Sequence, residues 1–162
     1  MRLPIDPALA LVALSFLSAC GDNQDPAGAD ELFLRIQTLD YRATFAKAPG
    51  YETQQPSNTS HSAFSDIFLN PISAKVIADN TAISAWPLGS LIVKDGYDDD
   101  GIIELIAVME KRSDGWYWAE YLDPTASAGG ASYSGKPSVC IDCHQSAADD
   151  GNDFTRAIVL PK

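Results

Sequence analysis

The sequence is poor in cysteine, histidine and positive charge. The few cysteines and histidines limit the metal sites that it can form, and the shortage of positive charge limits the partners that it can bind. Its 162 residues hold three cysteines, two histidines and 11 lysines and arginines against 22 acids, for a net charge of -11. No basic cluster offsets that charge, which argues against binding nucleic acid or anionic lipid head groups. An acidic surface suits both solubility and docking to a basic redox partner, and composition leaves the two open.

Long apolar runs are also lacking. The one run, residues 7–19 behind Arg2, is too short to span a membrane and is typical of an export signal. It leads into Leu-Ser-Ala-Cys, which looks like a bacterial lipobox and predicts a signal peptide over residues 1–19 with lipidation at Cys20. Cleavage nearby without lipidation is the alternative. With Gly21 next, we expect a periplasmic location, lipid-anchored, at the outer membrane.

The rest of the chain predicts a short tether over residues 20–29 and one α+β domain over residues 30–162. Helical spacing predicts an N-terminal helix, and Pro71 can open a second one. Alternation and Asp-Gly turns predict an antiparallel β-sheet meander. The predicted helices cover residues 30–48, 71–78 and 140–147, the strands cover 61–69, 90–95, 102–111, 116–121 and 154–160, and a loop covers 123–139.

The run Cys140-Ile141-Asp142-Cys143-His144 has the C-x-x-C-H spacing of covalent haem attachment. Two thiols three residues apart in one helical turn can reach both vinyl groups, and the adjacent imidazole can bind the iron. A zinc site would need a second pair of ligands, and only Cys20 and His61 remain. A redox C-x-x-C pair would follow a strand in a βαβ unit, which is not visible. We therefore expect one covalent haem c, with His144 as a metal ligand.

The place of this motif narrows the class of haem protein. Small electron-transfer cytochromes of the common type carry the motif near the N-terminus and a methionine ligand downstream, and no methionine follows His144. A haem near the C-terminus occurs in four-helix cytochromes c′ and in the β-rich cytochrome P-460 group. Segments such as residues 90–95 and 116–121 do not have the pattern of bundle helices.

Over about residues 60–156 the sequence resembles the cytochrome P-460 family, which includes β-sheet cytochromes c′. The resemblance rests on four blocks in order: His61 with residues 66–70, residues 87–94, residues 107–112, and the haem motif followed by residues 153–155. It implies a homodimer of antiparallel sheets, a short C-terminal haem-bearing helix, a proximal His144 and an iron face open to nitric oxide or hydroxylamine. Some members oxidise hydroxylamine and link a lysine to the porphyrin. Lys94 is the candidate here, with an exposed or paired lysine as the alternative.

Several residues are candidates for the second iron face. His61 and Met109 could close it as ligands, although a hydrogen-bonding histidine and a core methionine are alternatives. Phe64 or Phe68 could cap it, and Arg112 or Glu110 could exchange a proton with a bound nitrogen species. An open iron predicts binding or oxidation of a small nitrogen ligand by an oxidoreductase. The alternatives are an electron-transfer protein with a sixth ligand and a haem-based gas sensor.

Overall fold

A computed structural model describes residues 24–57, 59–122 and 130–162. The fold is α+β and contains an antiparallel sheet, as the sequence predicted. The described residues form seven strands and four helices, where the sequence predicted five strands and three helices. The helices are α1 (Pro26–Thr38), α2 (Tyr41–Thr44), α3 (Pro71–Asp79) and α4 (Ser138–Asp149). The strands are β1 (Ala46–Lys47), β2 (Gln55–Pro56), β3 (Phe64–Leu69), β4 (Leu91–Tyr97), β5 (Ile103–Arg112), β6 (Gly115–Leu122) and β7 (Ala131–Gly135). The predicted signal peptide and the lipobox cysteine Cys20 lie outside the described residues.

The centre of the sheet is the predicted meander. Its strand order is β1-β3-β4-β5-β6-β7, with β2 also paired to β3. The acidic turn between β4 and β5 is a hairpin turn, in which Asp98 Oδ1 accepts hydrogen bonds from the backbone of Asp100 and Ile102. At the next hairpin, Gly115 has φ +115, a conformation that L side chains rarely adopt.

Each face of the sheet carries its own hydrophobic core. The first, which we call the α1 face, contains Ala29, Leu32, Phe33, Ile36, Tyr41, Phe68, Leu91, Val93, Ile106, Val108, Tyr117, Ala119 and Tyr121. The second, the α4 face, contains Ala48, Ile67, Leu69, Trp86, Ile92, Trp116, Trp118, Ile158 and Leu160. Because side chains alternate along a strand, neighbouring residues of β3 to β6 belong to different cores.

An ion pair between a buried carboxylate and a partly exposed guanidinium joins α2 to the α1 face. Asp95 is fully buried and accepts hydrogen bonds from Tyr41 Oη at 2.5 Å and from Arg42 Nε at 2.6 Å. Arg42 Nη2 gives a further bond of 3.1 Å. Burial, and then the charge of Asp95, raises the pKa of Tyr41 far above its ordinary value, so the phenol remains a donor.

The N-terminal helix begins and ends earlier than predicted. It starts at Pro26, because Asp25 accepts a bond from the Gly28 N–H at 3.0 Å and proline suits the first helical position. Ala29 is fully buried, so residues 26–29 belong to the domain and not to the tether. The helix ends at Thr38 because Asp40 adopts a left-handed conformation, with φ +47.

Three further differences from the prediction exceed two residues. Within the predicted loop 123–139, residues 131–135 form β7, and residues 123–129 lie outside the described part. Residues 154–160, predicted as a strand, have no strand pairing. The predicted 61–69 strand starts at Phe64.

The described segments include no helix that is both long enough and apolar enough to cross a membrane.

Candidate functional site

The C-x-x-C-H motif lies on α4, which runs from Ser138 to Asp149 and so contains the predicted helix 140–147. Within one turn, Cys140, Cys143 and His144 are three and four residues apart, the spacing of side chains on one side of a helix. Cys140 is half-buried against the α4-face core, whereas Cys143 is exposed. In the described part of the chain neither thiol is in a disulfide bond.

The His144 ring is held by a backbone carbonyl and an indole. Its Nδ1 atom is 2.7 Å from the carbonyl oxygen of Phe154. A carbonyl oxygen can only accept, so Nδ1 carries the proton and Nε2 keeps a lone pair. The ring packs edge-on against Trp118, with centroids 4.7 Å apart. Burial lowers the pKa of His144, which favours the neutral imidazole that binds metals.

The carbonyl that holds His144 belongs to a strained loop. Asp153 and Phe154 are consecutive non-glycine residues with positive φ, +47 and +68. Such conformations persist where the surroundings fix them. The Asp153 carboxylate accepts two bonds from Lys111 Nζ, at 2.7 and 2.8 Å, and one from the Trp86 backbone N–H at 2.8 Å. Its carbonyl accepts from Trp116 Nε1 at 2.7 Å.

A row of cross-strand neighbours runs along the α4 face. Lys94 on β4 pairs with Ala107 on β5, which pairs with Glu120 on β6. The Lys94 amine donates to the hydroxyls of Ser57 and Thr59, both at 3.2 Å, and has no carboxylate partner among the described residues. Burial, and then the charge of Arg156, lowers the pKa of Lys94 to about 8. Lys94 is thus neither fully exposed nor paired with an acid.

Glu120 stands beside the second histidine of the chain. The Nδ1 atom of His61 is 3.0 Å from Glu120 Oε2. That Nδ1 is buried. The geometry of its contact with Glu120 is not that of a hydrogen bond, and no other described residue forms one with it. The charge of His61 also contributes to lowering the pKa of His144, after the larger effect of burial. The two imidazoles therefore lie within electrostatic reach of one another.

Arg156 borders the motif on its exposed side. Its Nη1 donates to the carbonyl of Cys143 at 3.1 Å and lies 3.2 Å from the Cys143 Sγ. Like Lys94, it has no carboxylate within ion-pair distance in the described part of the chain. Its charge lowers the pKa of both Lys94 and His144. Positive charge thus collects around His144 in a strongly acidic protein.

The other sequence candidates divide between the two faces. Met109 is on the α4 face, where it pairs with Trp118 across the strands and packs against that core. Phe64 is on the α1 face by strand alternation, as is Phe68, whose ring packs against Tyr41. Neither ring is therefore on the side of the sheet that carries His144.

Arg112 and Glu110 also belong to the α1 face. The Arg112 guanidinium lies 3.5 Å from the centre of the Tyr117 ring and bonds to Glu110, which pairs with Arg35 of α1. Both side chains therefore lie on the face of the sheet opposite His144, and their predicted role at the second iron face stays a prediction. On β5 it is Lys111, one residue earlier than Arg112, that faces α4.

Sequence reasoning did not assign a role to the residues that the fold brings to His144, namely Trp118, Phe154 and Arg156, nor to Asp153, which holds the loop of Phe154, and Glu120, which lies beside His61. The signal for Trp118 and Glu120 was the alternation of β6, which places them on one face. Phe154 acts through its backbone carbonyl. Every residue has one, so the residue type gave no signal in the sequence. A zinc site gains no support, since the described residues include no cluster of three or more metal-ligating His, Cys, Asp or Glu side chains.

The residues present fit a covalently attached haem. Two thiols with the attachment spacing share a turn with an imidazole whose Nδ1 proton is engaged and whose Nε2 lone pair is left for a metal. Comparison of the chain with models of protein families, with curated proteins and with solved structures finds no match.

Proposed function

We propose that the chain is an exported c-type haem protein of cytochrome P-460-like architecture, in which Cys140 and Cys143 attach the haem and His144 binds its iron. The observation that carries the proposal is the hydrogen bond from His144 Nδ1 to the Phe154 carbonyl. Metal-binding histidines commonly donate their other ring N–H in this way, which fixes the tautomer and strengthens the ligand.

Attachment requires only the thiols of the motif and the two vinyl groups of haem. Each S–H adds across one C=C bond, so that sulfur bonds to one vinyl carbon and the proton ends on the other, without an oxidant. Cys143 is exposed and Cys140 half-buried, so the thiols are at the edge of the core and not beneath it. The same helix turn then presents His144.

The function that this site supports best is binding or oxidation of a small nitrogen ligand such as hydroxylamine or nitric oxide. When bound, haem supplies the iron site for the ligand and takes up its electrons, which pass to a redox partner. On the α4 face, the Lys94 amine can donate a hydrogen bond and the Glu120 carboxylate can accept a proton. Ala107 is the cross-strand neighbour of both.

Electron transfer is a second candidate function, favoured by the position of His61. Its Nδ1 is buried without a completed hydrogen bond, and its charge reaches His144. If its ring turned towards the iron, a second imidazole would close the open site. Met109 is a weaker candidate for that role because it packs into the core beside Trp118.

The proposal includes a lipid anchor at Cys20 and a periplasmic location. Since α1 begins at Pro26, only five residues separate Cys20 from the folded domain. Five residues span at most about 18 Å when fully extended. An anchored domain would therefore stay close to the membrane surface, and its redox partner would have to approach from the side or from above.

The test is the mass and absorption spectrum of the chain after expression with the haem c maturation machinery. We expect the added mass of one haem and a high-spin spectrum that changes with nitric oxide, together with turnover of hydroxylamine in the presence of an artificial acceptor. A chain without added mass refutes the proposal. A low-spin spectrum indifferent to the gas favours electron transfer, and His61→Ala and Met109→Leu then identify the second ligand.

A further inference from the structure

The half-buried loop after α4 is held in place by several contacts with the sheet. Asp153 is the centre of these contacts: its carboxylate binds Lys111 on β5 and the backbone of Trp86, and its carbonyl binds the Trp116 indole on β6. The Lys111 and Asp153 side chains are only 15% and 11% exposed. The loop is thereby attached to two central strands of the sheet.

These contacts offset an unfavourable backbone. A left-handed conformation costs non-glycine residues energy, and a phenylalanine is less suited to it than aspartate or asparagine. Two such residues in succession turn the chain sharply, and the turn places the Phe154 carbonyl 2.7 Å from His144 Nδ1. The residue whose carbonyl fixes the imidazole is thus one of the two with a left-handed backbone.

We propose that Asp153 is the positioning residue for the iron-binding histidine, and that it sets the strength of the bond from His144 to the haem iron. This inference rests on the proposed function. Asp153 does not touch His144; it acts through the Phe154 carbonyl. A firm hydrogen bond at Nδ1 increases the electron density of the ring and makes Nε2 a stronger donor, which stabilises ferric iron over ferrous iron.

Two substitutions separate this role from folding. Asp153→Gly tolerates the positive φ but removes both side-chain contacts, so the loop is released without backbone strain. Asp153→Asn also tolerates the conformation and can still accept from Trp86, but loses the charge that holds Lys111. The control is Asp150→Asn, which removes the same charge three residues earlier, at an exposed residue whose side chain has no hydrogen-bond or ion-pair partner among the described residues.

The first measurement is solvent exchange of the His144 Nδ1 proton, followed by NMR in the diamagnetic ferrous carbon monoxide complex. The second is the midpoint potential. In Asp153→Gly we expect exchange faster by about tenfold or more and a higher potential, because the hydrogen bond opens more often. Asp153→Asn should show smaller changes in the same direction. Asp150→Asn should exchange at the wild-type rate.

Wild-type exchange and potential in both Asp153 variants, with haem attached and the chain folded, would overturn the inference. A shift of the potential alone, equal to that in Asp150→Asn, would also overturn it, since lost charge explains it. A wild-type chain without the mass of haem refutes the proposed function instead. The Nδ1 exchange is then measured on that chain with the same variants, which still decides whether Asp153 holds His144.

Discussion

At the scale of single residues, the Asp95 carboxylate shows how a buried charge is tolerated in this acidic chain. It is fully buried, and its partners Tyr41 and Arg42 belong to one short helix. A buried ion that loses its counter-ion destabilises a protein far more than a broken surface pair. The pair therefore ties α2 to the α1 face.

Substitution of these partners should lower stability to different extents. We expect Arg42→Met to reduce the free energy of unfolding by about 3–5 kcal/mol, because Asp95 keeps its charge without a cation. Tyr41→Phe should cost about 1–3 kcal/mol, because one donor is lost. Urea unfolding measures both. The control is Lys75→Met, which breaks an exposed pair with Asp79 and should cost less than about 0.5 kcal/mol. Equal losses in all three would contradict this account.

The lowered pKa of Lys94 predicts that the stability of the haem-free chain depends on pH. Burial, followed by the charge of Arg156, lowers its folded pKa to about 8, below the ordinary value of 10.5. Between those values the unfolded chain binds a proton that the folded chain has lost, so the stability contributed by Lys94 rises with pH. We expect the difference in unfolding free energy between wild type and Lys94→Met to shift in favour of wild type across this window. A constant difference, as expected for Lys75→Met, would contradict it.

At the scale of elements, the start of α1 is held to the far edge of the sheet. The Asp25 backbone N–H donates to Ser134 Oγ on β7, and the Tyr117 hydroxyl donates to the Asp25 carbonyl. The buried Tyr121 hydroxyl donates to the carbonyl of Ala29. Residues assigned from composition to a tether thus complete the hydrogen bonds of two buried or part-buried tyrosines.

Truncation tests this assignment. A chain that starts at Asp30 loses the helix cap and leaves both tyrosine hydroxyls without their acceptors, so we expect a loss of about 2–4 kcal/mol relative to a chain that starts at Gln24. Chemical unfolding of the two chains gives the difference. If residues 24–29 were a tether, the two chains would unfold at the same denaturant concentration.

The sequence predicted regular elements better than it predicted the partners of His144. Strand alternation placed Lys94 and its neighbours on a meander, and the motif placed His144 on a helix. Arg112 lies on the face of β5 opposite His144, since a step of one residue along a strand moves a side chain to the other face. The Phe154 carbonyl could not be predicted, because every residue has one and only the fold selects which is used.

At the scale of the whole molecule, the sheet separates two cores that share no side chain. Ile36 is fully buried on the α1 face, on the opposite side of the sheet from the motif. Leu160 on the α4 face is 1% exposed, and its backbone N–H donates to Asn152 beside the strained loop. A substitution that disrupts the packing of one core should therefore leave the packing on the other face of the sheet unchanged.

A pair of substitutions of similar size tests this separation in the haem-loaded chain. We expect Ile36→Ala and Leu160→Ala each to cost about 2–5 kcal/mol of stability, since each removes a buried side chain. Only Leu160→Ala should also shift the haem absorption bands, because it loosens the loop that holds His144. Urea unfolding and the absorption spectrum of the folded proteins are the two measurements. A band shift in Ile36→Ala would contradict the separation.

Adjacent residues of β5 belong to different cores, with Val108 on the α1 face and Met109 on the α4 face. The packing constraints of two separate cores therefore alternate from residue to residue along one strand. The odd and even positions of β5 can therefore change independently over evolutionary time, because each set packs into a different core. An engineer could likewise redesign the side chains of the α1 face while retaining those of the α4 face.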